Sequence, residues 1–240
     1  MKSLQVLLFV FAVAGCARGH VTATQTAATG PLPSPSRVMV TDFAVQPENV
    51  SLDQGVAARL TRATDPQATP QTMMQAANVT QAALTQTLVQ RLVSYGLPAT
   101  RLPTGVVPPN GVLLVQGQIV SIDQGNRTRR TLIGLGAGKS QISANAQLYY
   151  ITTPAQPQFL VSFTGEADSG RAPGAAETMG AGAAADRLAT SAALTAGTHA
   201  AGEMRHTSDQ ANADKLAEAL ARQIGGYAVN QGWIPPDAVK

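Results

Sequence analysis

Cysteine is almost absent from this 240-residue chain, since Cys16 is the only one. An internal disulfide is therefore excluded, and the fold must be stabilised by packing alone. Aromatic residues make up only 4% of the sequence, which predicts an aliphatic core. Charged residues make up 13% and leave a net charge of +3, too small an excess for a surface that binds nucleic acid.

Long apolar runs are also scarce, and the clearest one lies at the start, after Lys2. It covers residues 4–14 and is shorter than the roughly 20 residues of a transmembrane helix, so it is typical of a leader peptide. The run ends in Val13-Ala14-Gly15-Cys16, an aliphatic residue, two small residues and a cysteine, which is the pattern of a bacterial lipoprotein signal. We expect cleavage between Gly15 and Cys16 and acylation of Cys16.

Acylation would make the lipid bilayer a partner of this chain, because each buried methylene contributes about 0.8 kcal/mol to anchoring. Ala17 and Arg18 follow the cysteine, with no Asp. By the sorting rule of double-membraned bacteria, this favours the outer membrane, with the protein facing the periplasm of the cell envelope.

Composition divides the chain into three segments. Residues 1–15 form the signal peptide, and residues 16–36, rich in Pro, Ala and Thr, are typical of a flexible tether after the lipidated cysteine. Residues 37–240 are expected to form a single α+β domain, with a low-complexity insertion rich in Ala and Gly at about 165–207.

Hydrophobic periodicity predicts the elements of this domain. Alternating or β-branched runs indicate strands over 37–45, 111–123, 141–150 and 159–164. Apolar residues at helical spacing indicate helices over 71–95 and 209–231. The order β-α-β-β-β-α predicts an antiparallel or mixed sheet of about four strands, with two main helices packed on one face.

Histidine is too rare for most catalytic or metal sites. His199, Glu203 and His206 would share one face of a helix, but the spacing differs from that of a zinc protease motif, so solvated side chains are the better interpretation. The remaining His20 lies in the predicted tether. We therefore predict no catalytic residue, no metal and no cofactor.

A glycine-rich stretch at 134–140 superficially resembles a phosphate-binding loop. The motif requires Gly where this chain has Ile133, and it must open a helix, whereas a strand is predicted to follow. The stretch is more typical of a hairpin tip in which glycines adopt positive φ.

Four cations flank that tip, and apolar residues lie among them. Arg127 and Arg129 would project to one face of an antiparallel hairpin. This candidate interaction hairpin, residues 125–140, would contact acidic lipid, a cell-wall polymer or a partner's carboxylates; a solvated sheet edge is the alternative. Its candidate residues are Arg127, Arg129, Arg130, Ile133, Leu135 and Lys139.

The chain resembles a family of bacterial lipoproteins, and the resemblance is carried by residues 115–117, 121–127 and 129–140 and by the Gly232-Trp233 ending. The family carries the domain of unknown function numbered four-four-one-zero, has no assigned activity, and the resemblance covers about residues 37–234. The element order is more loosely similar to periplasmic lipoproteins of the curli-secretion type, at the level of fold.

These observations predict a non-enzymatic lipoprotein that binds a protein or polymer partner in the envelope. One alternative is a subunit of an oligomeric secretion or pore assembly, which would make a second copy of the chain a partner. The other alternative is an envelope enzyme of unknown reaction.

Overall fold

A computed structural model of the chain describes residues 19–27, 30–65, 68–133, 136–154, 156–170 and 199–239. These residues form an α+β fold with a seven-stranded mixed sheet. The strands are β1 (His20–Thr26), β2 (Val38–Thr41), β3 (Val50–Ser51), β4 (Ala99–Leu102), β5 (Val112–Asp123), β6 (Gln141–Thr153) and β7 (Gln156–Asp168). The α-helices are α1 (Val56–Thr64), α2 (Ala68–Ser94), α3 (Arg127–Leu132) and α4 (His199–Asn230).

The sheet runs in the order β1-β7-β6-β5-β2-β4, and β3 pairs with the far part of β5. Strands β5, β6, β7 and β1 are antiparallel neighbours, whereas β2, β3 and β4 join in parallel. The predicted mixed α+β class is confirmed, but the count of about four strands is too small. Strands β3 and β4 contain two and four residues, too few to show a period of two.

Helices α2 and α4 pack against each other and against one face of the sheet. Leu84, Leu88 and Leu92 of α2 are fully buried there, as the apolar stripe predicted. Helix α4 contributes Leu216, Leu220 and Ile224, and the sheet contributes Val115, Ile119 and Leu148. Helix α4 begins at His199, ten residues before the predicted start at 209, because the stripe that guided the prediction occupies only the packed part of the helix.

The predicted tether of residues 16–36 contains a strand. Strand β1 pairs antiparallel with β7, and Thr24 Oγ1 lies 2.9 Å from Ser162 Oγ. Farther along, the Leu32 amide donates to Gln231 Oε1 at 3.0 Å, and Trp233 Nε1 donates to the Leu32 carbonyl at 3.1 Å. An edge strand is held by backbone hydrogen bonds, which need no apolar pattern, so composition alone misses it.

The predicted insertion at about 165–207 is shortened at both ends by regular structure. Strand β7 continues to Asp168, and α4 begins at His199. Residues 171–198 lie outside the described residues.

Candidate functional site

The connection between β5 and β6 is a short helix, and the prediction of an extended hairpin at Arg127 and Arg129 is wrong. Asn126 begins α3 as its N-cap, because its Oδ1 accepts a hydrogen bond from the Arg129 amide at 3.0 Å. Asn is among the strongest N-cap residues, so this local bond favours a helical turn over continued strand pairing.

Gly125 and Gly138 lie where the two ends of the α3 connection meet, and the positive φ predicted for the glycine-rich stretch 134–140 is confirmed at Gly138. Gly125 has φ +69° and Gly138 has φ +72°. A Cβ on Gly125 would lie 2.3 Å from the Lys139 carbonyl oxygen, and one on Gly138 would lie 2.3 Å from that of Asn126. The Asn126 amide also donates to the Gly138 carbonyl at 3.0 Å, so the two ends of the connection are in direct backbone contact.

Asp53 links α3 to the turn between β3 and α1. Its side chain is buried, and its Oδ1 accepts from the Gly55 amide at 2.8 Å and from the Arg127 amide at 3.1 Å. Beside it, the Gln54 amide donates to the Gly125 carbonyl at 2.9 Å. The N-termini of α1 and α3 are therefore held side by side.

A buried polar network lies beneath α3 and joins it to α4. Gln124 Nε2 donates to Asp209 Oδ2 at 2.7 Å, and Gln124 Oε1 accepts from the Asp53 amide at 3.3 Å. Arg130 donates from Nη1 to Ser140 Oγ and from Nη2 to the Gln124 carbonyl, both at 3.2 Å. Asn212 Nδ2 completes the network by donating to Ser140 Oγ at 3.0 Å.

Sequence reasoning missed the buried members of this network, namely Asp53, Gln124, Ser140, Asp209 and Asn212. One signal was available, since Asp209 and Asn212 stand three residues apart and so share a face of α4. Their bonds go mainly to backbone amides and neighbouring side chains within the protein, so the arrangement supports α3, although the buried Asn212 Oδ1 has no hydrogen-bond partner among the described residues.

The structure separates the six candidate residues of the predicted hairpin. Arg130 points into the network, and Lys139 Nζ lies 2.6 Å from Asp168 Oδ2. The hydrogen bond from Lys139 lowers the pKa of the Asp168 carboxyl. Arg127 is half-buried, whereas Arg129 is exposed and Ile133 is 51% exposed. Leu135 lies outside the described residues, as do Gly15 and Cys16.

Exposed apolar side chains occur on both α3 and α1, whose N-termini lie side by side. Leu132 at the end of α3 is 58% exposed, and Val56 and Leu60 of α1 are 70% and 68% exposed. The two helices meet where a Cβ on Gly55 would lie 2.9 Å from Thr128 Oγ1. We call the exposed residues of this surface the α1–α3 rim: Val56, Arg59, Leu60, Arg129, Leu132 and Ile133.

A family model matches residues 38–186, which include β2 to β7 and the whole α3 connection. This chain belongs to the family described as domain of unknown function, DUF4410. The family resemblance carried by the residues around α3 is thereby confirmed. No curated protein matches this DUF4410 chain.

Two solved structures are distantly similar to the DUF4410 chain. One is the PelC dodecamer from Paraburkholderia phytofirmans, with 11% identity, a TM-score of 0.34, and coverage of 83% of this chain and 97% of that chain. The other is a single-residue variant of that dodecamer, with 12% identity, a TM-score of 0.32 and the same coverage.

The described part of the DUF4410 chain holds no group of three or more His, Cys, Asp or Glu side chains that would bind a metal. His199, Glu203 and His206 lie on α4, and the positions of their side chains are outside the description. Within the described residues, every helix is too short or too polar to cross a membrane. Arg101 lines one depression on the described surface, beside Thr85 and Gln90 of α2, and two other depressions there are lined by uncharged residues.

Proposed function

We propose that this protein is a non-enzymatic lipoprotein, anchored in the outer membrane by an acylated Cys16 and facing the periplasm, that binds an envelope partner through the α1–α3 rim. The lipoprotein pattern at Val13-Ala14-Gly15-Cys16 supports the anchor.

One observation carries the proposed binding role, which is the combination of a built support with an exposed apolar surface. The network under α3 joins residues as far apart as Gln124 and Asp209 and is paired by hydrogen bonds. The helix that it holds nevertheless leaves Leu132 and Ile133 more than half exposed. Apolar side chains exposed on a hydrogen-bonded support are typical of an interface.

Photo-crosslinking in living cells tests this binding role. A photoreactive residue at Ile133 should trap a lipid, an envelope polymer or a protein, because this position lies in the rim. The same group at Gln86, an exposed position on α2, is the control and should give at most background yield. Equal yields at the two positions would contradict the rim as the binding surface.

The alternatives, an oligomeric secretion or pore subunit and an envelope enzyme, stay predictions. The described residues supply no observation that favours either of them over the proposed role.

A further inference from the structure

Five strands begin or end along one side of the sheet, and we call this side, formed by strand ends and not by an outermost strand, the edge. Pairing places Ser51 beside Asp123, Asp123 beside Gln141, and Gln141 beside Asp168. Strand β1 starts at the same edge, because His20 pairs with Glu166 of β7. Helix α1 follows β3, and α3 joins β5 to β6, so both helices of the rim lie at the edge where β1 begins.

The residues that lead to Cys16 therefore join β1 at the same edge of the sheet as the rim. His20 is two strand spacings, about 10 Å, from Ser143 of β6, because both residues pair with Glu166 of β7. Gly19 is packed tightly there, since a Cβ on it would lie 2.3 Å from the Lys215 carbonyl oxygen of α4. Two residues lie between Cys16 and Gly19, and the three Cα–Cα steps span at most about 11 Å, so an acyl chain on Cys16 would enter the membrane beside this edge.

The chemistry of the rim matches an anionic lipid surface. Neither α1 nor α3 contains Asp or Glu, and each carries one exposed arginine, Arg59 or Arg129. Arg62 and Arg130 instead donate to the Asp53 carbonyl and to Ser140 Oγ. Nine large apolar side chains are exposed in the described part of the chain, and four of them, Val56, Leu60, Leu132 and Ile133, lie in residues 56–64 and 127–133. Guanidinium groups bind phosphate oxygens, and apolar side chains between them reach the boundary of the acyl chains.

We propose that the α1–α3 rim lies on the anionic surface of the membrane that holds the acylated Cys16. This inference rests on the proposed function, because it requires the lipid anchor. The protein then contacts the bilayer at two points, and the opposite end of the sheet faces away from it. Val93 lies at that far end, next to Ser94, the last residue of α2. Shortly after α2, the Pro98 carbonyl accepts a hydrogen bond from the Val38 amide. Val38 pairs with Leu113, near the start of β5 and so at the opposite end of the sheet from the rim.

An environment-sensitive dye on the full acylated chain tests this orientation. Cys16 is the only cysteine, so once it is acylated, Ile133→Cys provides the single reactive thiol. Val93→Cys is the matched control, since Val93 is 52% exposed and Ile133 is 51% exposed. In vesicles of phosphatidylglycerol and phosphatidylethanolamine that carry a lipid-bound quencher, we expect at least several-fold stronger quenching at position 133 than at position 93.

Charge variants and neutral lipid define the result further. Combining Arg59→Gln with Arg129→Gln, or using vesicles of phosphatidylcholine alone, should reduce quenching at position 133 towards the control. Equal quenching at positions 133 and 93 in the anionic vesicles overturns the proposed orientation. If position 133 is unquenched by lipid but Ile133 crosslinks to a protein or polymer in cells, the rim belongs to that partner, and the orientation is likewise overturned.

The failure of the anchor is visible separately. The wild-type chain from the same preparation should take up no thiol-reactive dye, because acylation blocks Cys16. Labelling of the wild type would contradict the proposed anchor itself, independently of the quenching at position 133.

Discussion

The cations around α3 differ in which way their side chains point. Arg130 is committed to Ser140 and Gln124, and Lys139 to Asp168. Arg129 forms no ion pair with any described residue and remains exposed. Cations that look equivalent in the sequence therefore have different roles: Arg130 and Lys139 bind groups within the protein, whereas the exposed Arg129 can contact a negatively charged partner.

Replacing Lys139 with Met should raise the pKa of Asp168. The hydrogen bond from Lys139 is the largest cause that holds this pKa below 3.8. A pKa depressed by folding stabilises the protein above the pKa of an ordinary Asp, and this contribution is lost as the pH falls through the folded value. The stability difference between wild type and Lys139→Met should thus be largest near neutral pH and vanish in acid.

An NMR titration of the Asp168 carboxyl measures this pKa directly. The effect on stability should be below about 1 kcal/mol, because the Lys139 and Asp168 side chains are 45% and 32% exposed. Lys139→Arg is the control, since it keeps the cation and should keep the pKa low. An unchanged pKa in Lys139→Met would show that the pairing seen here is not what depresses it.

Helix α3 has only six residues, so it depends on its surroundings rather than on helix propensity. Its N-cap Asn126, the close approach of Gly125 to Lys139 and the guanidinium of Arg130 hold it from three sides. We therefore expect the network to determine how stable this connection is, and the exposed residues to determine what it binds.

Arg130→Met should lower the free energy of unfolding by about 2 kcal/mol, since hydrogen bonds from a charged group contribute roughly 1.5–3 kcal/mol and their buried acceptors lose a donor. Arg129→Met is the matched control, because it removes the same side chain from an exposed position, and it should change stability by less than about 0.5 kcal/mol. Urea denaturation of both variants measures the difference. Similar losses in the two variants would mean that the contacts of Arg130 contribute nothing specific.

The fold as a whole places the start of β1, α1 and α3 at one edge of the sheet, and the end of α2 at the other. A protein attached through Cys16 would therefore present its far edge to the periplasm. In that orientation the anchor and the rim face the membrane, and a partner in the periplasm would meet the opposite edge.

Cys16→Ser should release the protein from the membrane fraction, because serine cannot take the thioether-linked lipid that anchors the chain. Fractionation of cells followed by immunoblotting measures this release, and Ala17→Ser, which introduces the same residue one position later, should remain bound. Cofractionation of Cys16→Ser with the membrane, to the same extent as the wild type, would contradict anchoring at Cys16.

Much of the core was predictable because its pattern is local. The stripe of Leu84, Leu88 and Leu92 indicated α2, and the alternation from Gln141 to Tyr150 indicated β6. The glycine-rich stretch at 134–140 indicated positive φ, which Gly136 and Gly138 adopt. The directions of the cationic side chains in the candidate hairpin were not predictable. The side chain of Asn126 caps a helix, and this local bond competes with the strand pairing on which the prediction depended.

Local sequence determined those elements whose pattern of apolar and polar residues indicates which face is buried, namely the long central strands and the packed faces of α2 and α4. Local sequence also identified the family. Tertiary structure alone decided the rest. Strand β1 exists because β7 offers it backbone partners more than 130 residues away, as the 138-residue separation of Thr24 and Ser162 shows. Gln124 meets Asp209 across 85 residues, and no local pattern encodes such a pairing. The rim and the start of β1 lie at the same edge because of the strand order. That order depends on how whole strands and helices pack their apolar faces against one another.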